Sequence, residues 1–231
     1  MSRDPSAFDA AAAVTRSLLG WGVVAGPFYV VVGLILALTR PGFDLTRHAL
    51  SLLALGDLGW LQRTNFVLSG LMVLAAAYGV LRLIRDGRGL AIAVLTAVFG
   101  AGLILSAVFA PDPVEGFPLG AAGGTASVSG ILHLVFGGIG FIALAAAAFA
   151  HATWARARGD AGRSWVGSGL GVLVIVGFLG GAALAQSVLG VALLWLAVLA
   201  GLLWLALTSA HLYSIVPHPV IAERSRLQGA S

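Results

Sequence analysis

Residues 188–212 read VLGVALLWLAVLAGLLWLALTSAHL. No charged side chain interrupts them. About 20 such residues cross the hydrocarbon of a bilayer as a helix, at about 1.5 Å per residue. Backbone amides find no water there, and a helix satisfies them internally. Working outward, the same pattern recurs at 18–39, 64–85, 90–110, 130–151 and 165–185. These runs are continuous rather than alternating, which excludes the strands of a membrane barrel. The first run is too long for the apolar core of a signal peptide, contains Pro27, and is followed by no small-residue cleavage site. The turn around Gln186 and Ser187 is very short, so the last two spans form a tight hairpin. The expected fold is all-α, a polytopic bundle of six transmembrane helices. Residues 1–17 precede the membrane domain at 18–212, and a polar tail follows at 213–231.

Composition agrees. Of 231 residues, 59% are hydrophobic and 10% are charged, against about 25% charged in soluble domains. This excludes a soluble globular enzyme, a disordered chain and a nucleic-acid-binding domain. The chain has no Cys, hence no disulfide, iron–sulfur cluster or thiolate nucleophile. It has no Lys, hence no Schiff base on an ε-amine. All 13 cations are Arg, and heavy use of Arg and Ala points to a GC-rich bacterial genome.

The arginines set sidedness. Arg3, Arg16, Arg82, Arg85, Arg88, Arg156, Arg158, Arg163, Arg224 and Arg226 fall on one side, and Arg40, Arg47 and Arg63 on the other. Positive loops stay cytoplasmic. Both termini are therefore expected in the cytoplasm of a bacterial inner-membrane protein, with loops 40–63 and 111–129 outside. The 32 glycines lie largely within spans, where small residues let helices approach closely. Trp154, Trp165 and Tyr213 suit an interfacial aromatic belt. Gly33-Leu34-Ile35-Leu36 recurs as Gly102-Leu103-Ile104-Leu105, and the stretch from Asn65 to Ala77 resembles that from His133. A tandem hairpin repeat would place Asn65 and His133 at equal depth; chance matching among small apolar residues is the plainer explanation.

The polar residues collect at the outer side. Asp44, Arg47, His48 and Ser51 are spaced as one face of a short amphipathic helix, with Asp44 as its cap and Gly56 as its stop. That face either meets water or lines a pocket. In the second loop Asp112 lies between Pro111 and Pro113, which ends the third span and fixes the carboxylate at its outer end. Glu115 follows. His133 enters the fourth span, where an ionisable group is costly and a functional candidate by default. A neutral His bonded to a carbonyl or to Asp112 is the structural alternative. Asp112, Glu115, His48 and His133 offer ligand types for a divalent metal such as zinc, without a diagnostic spacing; the sequence requires no cofactor. Haem between histidines is disfavoured, because His151 and His211 sit at helix ends on the inner side.

The run Phe109-x-x-Asp112-Pro113-x-x-Gly116-x-Pro118-x-Gly120, then Ser129-Gly130-x-x-His133, resembles the six-span bacterial and archaeal family catalogued as domain of unknown function 998. Ser51-x-x-x-x-Gly56, Gly59-Trp60 and Asn65-Phe66 fit its first outer loop. The resemblance covers residues 18–212, with Asp57 as an additional acid. It implies the fold and the positions of the outer motifs, implies no reaction, and adds weight to Asp112 and His133.

Two functional readings follow. In the first, the chain is a membrane enzyme with an outward polar pocket for a lipid or isoprenoid-type substrate. His133, Asp112, Asp44 and His48 would then carry acid/base or metal-assisted chemistry. Arg47, Ser51, Asn65 and Glu115 would bind the substrate. In the second, it is a non-enzymatic binding, transport or assembly protein, and the same cluster locks the loops together. Few polar residues occur at mid-span, which counts against ion or sugar transport.

Overall fold

The computed structural model describes residues 8–114, 116–123 and 126–220. Six helices run through them: α1 (Ala10–Thr39), α2 (Gly59–Leu83), α3 (Gly87–Val108), α4 (Val128–Arg156), α5 (Ala161–Ala183) and α6 (Val188–Ile215). Each is long and apolar enough to cross a membrane. Among the described residues the extended pairings are isolated bridges, Phe8 with Val220 and Val114 with Phe117.

Short polar side chains start the helices. Asp9, Asp86, Ser127, Asp160 and Ser187 each accept a bond from the backbone N–H three residues on. This fills one of the donors that every helix start leaves unpaired. Several helices overrun their apolar stretch: α1 begins at Ala10 and α4 continues to Arg156. Backbone pairing continues through the interfacial turns, where only side-chain polarity changes.

Successive helices pack side by side, and α1 also packs on α6, which closes the bundle. Glycine makes the contacts close. A Cβ on Gly70 would stand 2.7 Å from the Gly100 carbonyl oxygen, and one on Gly100 would stand 2.9 Å from that of Gly70. A Cβ on Gly177 would stand 2.7 Å from the Leu193 oxygen. Without a hydrophobic drive between helices in lipid, this backbone approach supplies the dispersion energy. The outward surface is apolar: Ile35, Leu38, Val108, Leu134, Ile142 and Val176 are exposed. Patches this extensive are not carried by soluble monomers, and a bilayer covers them.

The two ends of the bundle differ. The long connections 40–58 and 109–127 and the α5–α6 turn lie at one end, here the loop end. The α2–α3 and α4–α5 turns and both ends of the described chain lie at the other, the terminal end. There Arg16 donates to the Val216 carbonyl at 2.7 Å and lies 4.1 Å over the Tyr213 ring. Arg82 donates to Thr15 Oγ1 at 3.0 Å.

The short helix of the first loop is present in tighter form. A single turn at Asp44–His48 is followed, after extended Ala49 at ψ 144°, by a five-residue 3-10 helix, Leu50–Ala54. The break divides the polar stripe: Asp44 and Arg47 are exposed, Ser51 is half-buried and His48 is buried. Gly56 ends the segment at φ +71°, as its role as a stop requires. Trp154 departs from the aromatic-belt expectation. It is 3% exposed, inside the bundle, whereas Trp165 is 72% exposed. Its ring stacks on His151 instead of facing lipid.

Candidate functional site

The first turns of α4 are tied to the end of α3 by three side chains. Asp112 accepts from Ser127 at both oxygens: Oδ2 from the backbone N–H at 3.0 Å, and Oδ1 from the hydroxyl at 2.5 Å. The Ser127 hydroxyl also accepts from Gly130 N–H at 3.0 Å. A carboxylate suits this place, because the free N–H groups of a helix start carry partial positive charge. Gly130 makes the approach possible, since a Cβ there would lie 2.0 Å from Asp112 Oδ2. Ser129 Oγ donates to the Ala110 carbonyl at 2.9 Å.

His133, buried at 6% exposure, completes the set. Its Nδ1 lies 2.8 Å from the Phe109 carbonyl and 3.2 Å from that of Ser106. Carbonyls only accept, so Nδ1 carries the proton. Both carbonyls belong to the end of α3, where helical geometry leaves acceptors without partners. Phe66 meets the imidazole edge-on, with centroids 6.2 Å apart.

The first loop closes over this region through aromatic contacts. Phe117, 1% exposed, meets both Phe43 and His48, with centroids 5.1 and 5.3 Å away. His48 Nδ1 accepts from the Asp44 backbone N–H at 2.9 Å. The Asp44 carboxylate accepts from the Thr46 hydroxyl at 2.7 Å and the Thr46 N–H at 2.8 Å. The bond from the Thr46 hydroxyl is the main reason its pKa lies below the ordinary carboxylate value. Buried Arg40 donates to the carbonyls of Leu53 and Leu55, and Arg63 to that of Ala54 at 3.2 Å. These are the last carbonyls of the 3-10 helix and its cap. Two of the three arginines on the arginine-poor side thus finish a helix. Burial pulls the Arg40 pKa down, and Asp57 opposes that shift.

Asn65 belongs to a separate buried group. Its Nδ2 donates to the Tyr29 carbonyl at 3.1 Å and to Gln62 Oε1 at 3.2 Å, and its Oδ1 accepts from Ser69 at 3.3 Å. Asn65 and His133 do share a depth, each between one and two turns from the loop end of its helix.

The structure therefore joins Asp112 and His133 at the α3–α4 junction and brings His48 against Phe117 nearby. It sets Asp44 and Arg47 at the exposed rim, leaves Ser51 half-buried, and places Asn65 in its own cluster. Glu115 lies outside the described residues. Among the described residues no three His, Cys, Asp or Glu side chains are grouped to hold a metal. Sequence reasoning missed Arg40, Gln62 and Ser69 here. An arginine directly before Pro41-Gly42 was the available signal for the first. It named His151 only in setting haem aside and gave Trp204 no role, and the two meet at the terminal end.

The chain belongs to the family described as "Protein of unknown function (DUF998)", which it matches over residues 23–211, a stretch that runs from within α1 to within α6. No curated protein and no solved structure matches it.

Proposed function

We propose that this six-span family member is a non-catalytic binding protein for an amphipathic molecule of the bacterial cytoplasmic membrane, and that its loop-end polar cluster is a structural lock. The carrying observation is the engagement of His133 and Asp112. Nδ1 of His133 is committed to two α3 carbonyls, and both Asp112 oxygens are committed to Ser127. An acid/base pair acting on a lipid or isoprenoid needs a carboxyl or imidazole free to exchange a proton with substrate. Here both Asp112 oxygens and the Nδ1–H of His133 join α3 to α4, and Nε2 is the ring atom left for the acid/base reading. The arginine count supports an outward loop end and cytoplasmic termini.

Substitution at His133 tests the lock. The amide nitrogen of Asn can replace Nδ1–H, whereas Ala removes the donor and leaves a void. His133→Ala is expected to destabilise the detergent-solubilised protein by about 2–4 kcal/mol, and His133→Asn to recover at least half of that. Thermal unfolding followed by tryptophan fluorescence reads both. An unchanged midpoint in His133→Ala would overturn the lock and return His133 to the acid/base reading.

A further inference from the structure

At the terminal end, α4, α5 and α6 enclose a crevice of about 520 Å³. His151 of α4 and Trp204 and Thr208 of α6 line it together with Arg163 at the start of α5 and His211. His151 is 3% exposed and Trp204 2%. His151 sits between two indoles, stacked on Trp154 at 5.6 Å and meeting Trp204 edge-on at 6.2 Å.

These groups are buried yet unpaired. His151 Nε2, Trp154 Nε1 and Trp204 Nε1 have no hydrogen-bond partner among the described residues. Leaving such an atom unsatisfied costs about 1–3 kcal/mol, and native proteins rarely gather three around one ring. An indole N–H only donates. The Thr208 hydroxyl lies 3.5 Å from His151 Nδ1; in the tautomer where it donates there, the proton sits on Nε2, which is then a donor too. Trp154 stacks on His151 and does not line the crevice, so the donors of His151 and Trp204 are the two left there for an acceptor-rich partner.

The charge at the mouth is an arginine–aspartate pair, with a second arginine outside the lining. Arg163 lines the crevice, and Arg158 lies 4.1 Å over the Trp154 ring. Asp160 is the single acid among the lining residues and is already bonded to Arg163. The remaining walls are apolar. Val166 and Leu207 are 51% and 48% exposed on the surface that meets lipid, and half-buried Leu170 lines the crevice and packs against the core. The crevice therefore passes from buried donors and arginine to membrane-facing hydrocarbon.

We propose that this crevice binds the phosphate-bearing headgroup of a membrane lipid, with the lipid's acyl chain along Val166, Leu170 and Leu207. The phosphate oxygens accept from Trp204 and His151 and face Arg163. This names the site and ligand class for the binding-protein reading, on which it rests. It does not depend on the loop-end lock.

Native mass spectrometry of the full chain in detergent tests it, with phosphatidylglycerol, diacylglycerol and inorganic phosphate as probes. A one-to-one phosphatidylglycerol adduct is expected. Trp204→Phe, which keeps a ring and removes the N–H, and Arg163→Gln should each weaken it about ten-fold. Diacylglycerol, which lacks the phosphate, and inorganic phosphate, which lacks the chains, should bind at least as weakly as those variants. Melting midpoints confirm that the variants fold, and His151→Phe serves if Trp204→Phe does not. Phosphatidylglycerol binding that survives all three substitutions overturns the crevice and leaves the binding-protein reading standing. Inorganic phosphate binding as tightly as the lipid overturns the lipid assignment. No retained lipid of either class overturns both readings.

Discussion

The polar side chains of α4 and its neighbours are bonded differently at the two ends of this bundle, although the loop end too keeps one buried unpaired donor, Gln62 Nε2. At the loop end Asp112, Ser127, Ser129 and His133 find partners on the neighbouring helix end. At the terminal end His151 Nε2 and the Trp154 and Trp204 indole nitrogens find none among the described residues. Both ends contain a histidine of α4, and both would look functional to a search for ionisable groups in spans. The difference lies in bonding. A satisfied polar network stabilises the structure that made it; an unsatisfied one costs stability unless something else supplies the partner.

The comparison breaks first at Gly130. Gly130→Ala puts a Cβ onto the Asp112 carboxylate, which must leave the start of α4. The expected loss is about 2–3 kcal/mol. Asp112→Ala in the same chain removes the clash, so the double variant should be more stable than the sum of the singles predicts, by about 1 kcal/mol or more. Additive effects would mean that the carboxylate does not rest on that turn. With His133→Ala, these are the largest effects expected of any polar group in the molecule.

How much of this was legible follows from where each partner lies. The six spans were readable because an apolar run of about 20 residues has one solution in lipid. The α3–α4 junction was readable because Pro111-Asp112-Pro113 ends a helix wherever it falls. For His133 a carbonyl partner was one of the two readings, but which carbonyls was not legible: they are those of Ser106 and Phe109. Every residue has a carbonyl, so no pattern of residue types marks those two. The Asp44–Ser51 stripe fitted a helical period, but the backbone breaks at Ala49, and the buried Leu50, Leu52 and Leu53 set the register after it. The crevice was hidden for a third reason. It needs α4, α5 and α6 to meet, and each of its aromatic residues alone reads as core or as belt.

At the terminal end the same kind of substitution should be nearly neutral. His151→Phe keeps the ring between Trp154 and Trp204 and deletes the unpaired Nε2, at the cost of a long contact to Thr208. Replacing an unsatisfied polar group by an apolar one of similar shape changes little, so the melting midpoint in lipid-free detergent should correspond to within about 1 kcal/mol of the parent. Phosphatidylglycerol sharpens the contrast. It should raise the parent's midpoint by mass action, leave His151→Phe less affected, and raise His133→Asn as much as the parent. A lipid-induced shift lost in His133→Asn and kept in His151→Phe would exchange the roles of the two ends.

The smallest effect concerns two surface carboxylates, one at each end, Asp44 exposed and Asp160 half-buried. Asp44 is held below the ordinary carboxylate range chiefly by the Thr46 hydroxyl, and Asp160 chiefly by the backbone N–H of Arg163. A carboxyl whose folded pKa is lowered contributes stability that is fully present above its unfolded value, about 3.9 for Asp. That contribution is lost as pH falls through the lower folded value. Both groups face water, where such contributions are weak and screened by salt. The melting midpoint should therefore be flat from neutral pH down to about pH 5 and decline gently below about pH 4. Asp44→Asn and Asp160→Asn should each flatten that decline, with almost no change at neutral pH, because Asn retains the acceptor oxygen for the turn or the cap. Asp160→Asn alone bears on the comparison of the two ends, because its carboxylate also holds Arg163. A large loss at neutral pH from that substitution would mean that the terminal end is braced by its own ion pair, as the loop end is by its hydrogen bonds.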